Sequence, residues 1–406
     1  MKMTVPPDIL EATRLTRQGR LAEATSFIRR MLRGGEGPGV SDDATLGETG
    51  SVELNLDAGP TGSTSTGSLM PALELPRRPG AEVGWLGAMI LSTPRTVPSP
   101  TEADPDEVAR HGRLLIATYS TKLGSRDYKL YVPGGYKGQP LPLVVMLHGC
   151  TQSADDFAAG TRMNAMGEER NFFVAYPVQP SSANGQRCWN WFSPANQRRG
   201  LGEPALIAGI TRQISADYAI DPNRIYVAGL SAGGAAAAIM GATYPDLYAA
   251  IGVHSGLACG AASDLTSALS VMSRGGAKSS RHSVRSTWFH GQDRLVPTIV
   301  FHGDHDRTVH PRNGDHVIDQ FGSTAAGKLR AVTEPGHVPG GRTYSRTSYS
   351  DVTGKVVFEN WVVHGAGHAW SGGSPTGTFT DPRGPDASRE MIRFFYEHPH
   401  PAPKPI

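Results

Sequence analysis

The chain has 406 residues, room for one large domain with additional segments. Its formal net charge of +2, from 39 Lys and Arg against 37 Asp and Glu, gives no footing for nucleic acid or an anionic membrane as partner. Only three cysteines occur, Cys150, Cys188 and Cys259, which is too few for a disulfide framework, and no apolar run approaches the ~20 residues of a membrane span. The opening residues 1–8 lack the apolar core of a secretory signal, so the expected location is cytoplasmic.

Residues 8–34 have helical periodicity, with Asp8 as a cap and apolar positions at Ile9, Leu10, Leu15, Leu21, Ile28, Met31 and Leu32. Gly19 splits them, so segment 1–34 is expected to form a helical hairpin. A hairpin of this size cannot bury its own apolar face, and an insoluble substrate surface or another protein is its expected partner. Residues 35–110 are rich in Gly, Pro, Ser and Thr, a composition expected to stay mostly disordered as a linker. Its one sign of order is the apolar stretch 84–91 around Trp85.

From 111 to 400 the texture is that of a folded domain. Stretches 114–119 and 128–133 suit a leading antiparallel strand pair, and 142–149 is an unbroken apolar run that suits a buried strand. Further strands are expected at 172–177, 224–229, 249–254, 298–302 and 356–364, with helices at 204–218, 232–243 and 387–396. Strands alternating with helices imply a mainly parallel sheet covered on both faces.

Within this pattern the run Ile225-Tyr226-Val227-Ala228 leads into Gly229-Leu230-Ser231-Ala232-Gly233 and then directly into an Ala-rich helix. Strand, Gly-x-Ser-x-Gly and helix together describe a nucleophile elbow, with Ser231 at the apex above the positive end of a helix dipole. The fold expected from this is the α/β-hydrolase fold. A serine hydroxyl needs a base to take its proton and an acid to hold that base, in the chain order Ser, Asp, His. Asp306 is the favoured acid: it follows the apolar strand 298–302 in a loop that turns at 307–311. Asp304 is the next candidate, and Asp293, behind a poor strand, the last. His368 is the expected base, on the glycine-flanked loop Gly365-Ala366-Gly367-His368-Ala369-Trp370 before the last helix. His364 is expected to point into packing, while His302 and His305 hold loop hydrogen bonds. The oxyanion of the tetrahedral intermediate needs backbone donors, expected from Ala232 and, after the 142–149 strand, from Cys150. No His/Cys cluster has metal-ligand spacing and no glycine-rich loop suits a phosphate, so neither metal nor cofactor is expected.

Four motifs in this order, Leu147-His148-Gly149-Cys150-Thr151-Gln152, Cys188-Trp189-Asn190-Trp191-Phe192, Gly229-Leu230-Ser231-Ala232-Gly233-Gly234 and Gly365-Ala366-Gly367-His368-Ala369-Trp370, resemble the poly(3-hydroxybutyrate) depolymerase family of esterases. That family is similar to the feruloyl and acetylxylan esterases of carbohydrate esterase family 1. The resemblance covers about residues 110–400 and implies hydrolysis of carboxylic esters, with Ser231, Asp306 and His368 matching the family triad. Cys150 and Cys188 occupy motif positions that it associates with paired cysteines in secreted relatives. Such a pair would count against a cytoplasmic location, and the spacing leaves it open. Secreted depolymerases of this kind resemble a catalytic domain followed by a C-terminal polymer-binding domain, whereas here the additional segment is N-terminal. The flat apolar faces of Trp189, Trp191 and Trp370 are expected to line an acyl or polymer groove, with core packing as the alternative. Hydroxyalkanoate oligomers or a polyester surface are the favoured substrate and carbohydrate esters the alternative. A non-catalytic binding protein is the reading that a complete triad argues against.

Overall fold

The computed structural model describes residues 112–276, 294–323 and 329–401. The hairpin at 8–34, the linker at 35–110 and Asp293 lie outside the described residues. Among the described residues the frame is a ten-stranded sheet in the order β1-β2-β4-β3-β5-β6-β7-β10-β9-β8. Its centre is parallel: β4 (Phe173–Pro177), β3 (Leu141–Leu147), β5 (Ile220–Leu230), β6 (Ala250–His254), β7 (Thr298–Gly303) and β10 (Val356–Val363). Antiparallel pairs flank it, β1 (Arg113–Thr121) with β2 (Gly124–Val132) on one side and β8 (Arg330–His337) with β9 (Thr343–Ser350) on the other.

The central strands are rich in apolar residues because both faces of the sheet are covered, although β10 carries the buried polar pair Glu359-Asn360. Along β3, Leu143, Val145 and Leu147 join one core while Val144 and Met146 join the other. The same alternation puts Ile225 and Val227 of β5 on the first face and Tyr226, Ala228 and Leu230 on the second. The first face is covered by α3 (Gly202–Asp217), α4 (Ala232–Thr243) and α6 (Arg312–Gly322). The second carries α1 (Ala154–Thr161), α2 (Met163–Arg170) and α7 (Ala387–Glu397). A short α5 (Leu265–Arg274), closed at its start by the Asp264 capping box, precedes β7.

Elements expected from apolar runs are present within a few residues of their expected bounds. The expectations did not include α1, α2, α5, α6 or the β8–β9 hairpin. Helix α2 has few apolar residues, Met163-Asn164-Ala165-Met166-Gly167-Glu168-Glu169-Arg170, and β8 is exposed along nearly its whole length, so neither has a strong periodic signal.

Parallel pairing aligns the strand ends. Leu147 pairs with Gly229, Leu230 with His254, His254 with Phe301, and Val363 with Gly303. The loops after β3, β5, β7 and β10 therefore leave one edge of the sheet, the carboxyl edge where open α/β sheets place their chemistry.

Candidate active site

The turn from β5 to α4 is built for close approach. A Cβ at Gly229 would strike the backbone of Gly233 and Leu147, and one at Gly233 would strike the carbonyls of Leu147 and His148. Ser231 between them has φ 58 and ψ −118, backbone angles that L-residues rarely adopt. Its N–H donates to His254 O at 2.9 Å, and its carbonyl accepts Ala235 N–H at 2.9 Å, starting α4. All twelve residues of α4 are buried, and their small side chains let the helix lie close to the sheet beneath Ser231.

The loop after β7 carries Asp306, whose side chain is wholly shielded from solvent. Its Oδ1 accepts the N–H groups of Thr308 and Val309 at 2.8 and 2.9 Å. Its Oδ2 lies 2.7 Å from His368 Nδ1 and 3.3 Å from His302 Nε2. Burial alone would push this carboxyl up, but the hydrogen bonds from His302 and His368 outweigh it and hold the group far below the usual carboxylate range. An ionised carboxylate only accepts, so His368 carries its proton on Nδ1 and leaves Nε2 free to take another. Among the described residues Ser231 is bonded through its backbone to His254 and Ala235, and its hydroxyl and His368 are not hydrogen-bonded to each other. Serine–base hydrogen bonds in unliganded enzymes are often long and close only with substrate bound.

The runner-up aspartate has other partners. Asp304 Oδ2 meets His364 Nδ1 at 2.9 Å, and its Oδ1 accepts Gly365 N–H at 2.7 Å. His364, expected to be packed inward, is instead half-exposed at the sheet edge, because Asp304 and Ser345 Oγ hold its two ring nitrogens in line there. His302 is buried against Val309 O, and His305 is exposed.

Beside Ser231, the loop after β3 is fixed atom by atom. A Cβ at Gly149 would lie 3.6 Å from Ser231 Cβ. Gly149 N–H donates to Gln152 Oε1 at 2.9 Å, and Gly149 O accepts His148 Nδ1–H at 2.9 Å. His148 Nε2 in turn accepts Gln179 N–H at 3.2 Å, and burial keeps this imidazole neutral by lowering its pKa. In a trans peptide C=O and N–H point opposite ways, so the bond to His148 turns the Cys150 N–H away from His148. Neither that N–H nor the Ala232 N–H is committed to another acceptor among the described residues. The loop is tied to the next motif three times: by the Cys150–Cys188 disulfide, by Thr151 N–H to Gln186 O at 2.6 Å, and by Trp189 Nε1–H to His148 O at 3.1 Å. Among the described residues no group of three or more His, Cys, Asp or Glu could hold a metal ion.

Comparison with known proteins places this geometry. The family model of esterase PHB depolymerases matches residues 126–333, from β2 into β8 and across the elbow. The chain belongs to this esterase PHB depolymerase family. It is 33% identical over 256 residues to poly(3-hydroxyalkanoate) depolymerase C of Paucimonas lemoignei, covering 62% of this chain and 60% of that protein. It is 30% identical over 200 residues to feruloyl esterase B of Neurospora crassa, covering 47% of this chain and 67% of that one. Among solved structures, the acetyl xylan esterase from Aspergillus awamori aligns over 70% of this chain and 100% of its own, with a TM-score of 0.56 and 22% identity, a likeness of fold.

In this member of the esterase PHB depolymerase family the three tryptophans expected to line a groove are packed inside. Trp189, Trp191 and Trp370 are 1%, 6% and 1% exposed, with their faces turned into the core. The indole N–H of Trp370 donates to Ser388 Oγ at 3.1 Å, and its ring stacks on His254 at 5.0 Å and meets Phe157 edge-on. Burying so large an aromatic surface while satisfying the N–H groups of Trp189 and Trp370 favours packing over solvent exposure. Sequence reasoning missed His254, which joins two parts of the site. Its carbonyl receives Ser231 N–H, and its Nε2 receives Ser371 N–H at 2.9 Å, next to the base loop. Its place at the end of the strand beside the elbow strand was the available signal. Glu203 was also missed: this buried carboxylate accepts Asn190 N–H, Asn190 Nδ2–H and Gln179 Nε2–H at 2.6–2.8 Å and so braces the Cys188-Trp189 segment.

Proposed function

We propose that the protein is a serine esterase that cleaves carboxylic esters through an acyl-enzyme. Ser231 Oγ attacks the ester carbonyl carbon as His368 Nε2 takes its proton, and Asp306 stabilises the imidazolium that forms. The N–H groups of Cys150 and Ala232 hold the carbonyl oxygen as it becomes an anion. The imidazolium then gives its proton to the departing alcohol. Water, activated by the same imidazole, attacks the acyl carbon and releases the acid and the serine. The observation that carries this reading is the shielded Asp306–His368 hydrogen bond on the same sheet edge as a strained serine elbow.

The favoured substrates are esters of short hydroxyalkanoic acids, as polymer or oligomer, supported by family membership and by the likeness to the Paucimonas depolymerase. The likeness to the Neurospora feruloyl esterase supports carbohydrate esters as the second reading. The Cys150–Cys188 bond favours an oxidising compartment over the cytoplasm as the place where the enzyme works. A panel of hydroxybutyrate oligomers, methyl ferulate and acetylated xylan tests the substrate class. Turnover of the oligomers at least tenfold above the other two is expected, and the reverse order installs the second reading.

A further inference from the structure

Phe379 stands out on the loop between β11 (Trp370–Ser371) and β12 (Thr380–Asp381). It is 45% exposed, and its φ is 52, in the left-handed region that a bulky residue enters rarely. The position is held from several sides. Phe379 O accepts Trp370 N–H at 2.7 Å. The preceding Thr378 donates its N–H and its hydroxyl to the two carboxylate oxygens of Asp156 at 2.9 and 2.6 Å, and its carbonyl accepts Gln152 Nε2–H at 3.1 Å. Gln152 is the residue whose Oε1 receives Gly149 N–H. The loop that presents Phe379 is thus bonded both to the base loop and to the expected oxyanion loop. Its ring stands edge-on to His368, with centroids 6.4 Å apart and planes at 78°.

A fold that spends backbone strain and four bonds to hold an apolar ring in water beside an imidazole has given that ring a contact to make. We propose that Phe379 is the specificity wall for the alcohol part of the ester, a proposal that rests on the esterase reading of the site. The imidazole must reach the alcohol oxygen to protonate it on departure, so the alcohol group lies beside His368. The acyl chain leaves from a carbonyl held at Ser231 and the Gly149–Cys150 loop. An aromatic edge next to His368 therefore selects alcohols with an apolar or aromatic body and leaves acyl-chain choice to other residues.

The test uses the full chain, with Phe379→Gly and Phe379→Tyr. Glycine removes the ring and also relieves the positive φ, so a melting temperature at or above wild type is expected, which separates lost contact from lost folding. For Phe379→Gly, kcat/KM should fall about tenfold further on benzyl butyrate than on methyl butyrate. The ratio between methyl hexanoate and methyl acetate should stay within about twofold of wild type, and Phe379→Tyr should restore the benzyl preference. An equal loss on methyl and benzyl esters, or a loss that follows acyl length, overturns the proposal. Ser231→Ala run in parallel keeps the two readings apart. If it abolishes turnover while Phe379→Gly leaves the benzyl-to-methyl ratio untouched, only the wall fails. If it leaves turnover intact, the esterase site fails and the wall with it.

Discussion

Two Asp–His pairs lie on neighbouring loops of the same sheet edge, Asp306 with His368 and Asp304 with His364, and both are joined Oδ2 to Nδ1. The second pair even has a serine in line, with Ser345 Oγ 2.9 Å from His364 Nε2, a contact that Ser231 and His368 do not make. Judged by hydrogen bonds alone, the second row is the better triad. Its surroundings say otherwise. Ser345 sits within β9, paired on one side with Val362 and on the other with Pro335, so its backbone is committed to the ladder. No elbow raises it and no helix starts beneath it. Asp304 and His364 have side chains 33% and 39% exposed, against 0% and 11% for Asp306 and His368. Water weakens charge–dipole interactions in the exposed Asp304–His364 row far more than in the shielded Asp306–His368 row. A nucleophile is made by strain, shielding and oxyanion donors around the serine, and a Ser–His–Asp chain without them is a surface hydrogen-bond network.

The largest effect should separate the two serines. Ser231→Ala should lower kcat about 10⁴- to 10⁶-fold, and Ser345→Ala should stay within about twofold. A fluorophosphonate probe followed by peptide mapping should label Ser231 alone, and label on Ser345 would break the comparison. Next in size is the contrast between the acids. Asp306→Asn should cost about 10⁴-fold in kcat, since an amide favours the wrong imidazole tautomer and cannot stabilise the imidazolium. Asp304→Asn, which loosens the tie to Gly365 without touching His368, should cost tenfold or less by the same assay, with circular dichroism to confirm folding.

Acid should strike the buried side of the comparison first. His148, His254 and His398 are held below the ordinary histidine value by burial, and His400 is lowered to about 4 for the same reason. Groups whose folded pKa is depressed contribute stability above the unfolded pKa and lose it as pH falls. The melting temperature should therefore be level above about pH 6.5 and fall below it, as the unfolded chain takes up protons that the native state refuses. Asp306, also depressed in the fold, adds a second loss below about pH 4. A melting temperature that rose between pH 6.5 and 5 would contradict the assignment of these histidines as buried and neutral. The smallest effect concerns strain. Ser231→Gly should raise stability to denaturant by about 1 kcal/mol as it relaxes the positive φ. Ser345→Gly should lower it by about 0.5–1 kcal/mol, since glycine weakens a strand.

Much of the frame was legible because parallel strands buried on both faces are mostly apolar, as β3 and residues 299–301 of β7 are. The edge hairpin β8–β9 was not, because a strand exposed on both faces needs no hydrophobic pattern. Helix α5 is started by the Asp264 capping box, and α6 turns an apolar face of Val317, Ile318 and Phe321 into the core, a short stripe among polar residues that was not read as a helix. Sequence spacing identified Ser231 and His368 as candidates, since an elbow and a glycine-flanked loop are local devices whose residues are neighbours along the chain. It ranked Asp306 above Asp304 on the shape of one loop. The pairing of Asp306 with His368 and of Asp304 with His364 spans about sixty residues and exists only in the folded chain.

Local chemistry is therefore what the sequence determined by itself: strand positions by apolar runs, the turn at Ser231 by glycines on either side, and the family by motifs read in order. Tertiary structure decided which way side chains face and which distant groups meet. It turned Trp189 and Trp370 into the core, joined Cys150 to Cys188, and placed His254 between the Ser231 turn and the His368 loop. It also left Phe379 exposed at the rim. The reason is that orientation and long-range contact depend on the register of adjacent strands and on close packing across both faces of the sheet, and neither is written in any short stretch of residues.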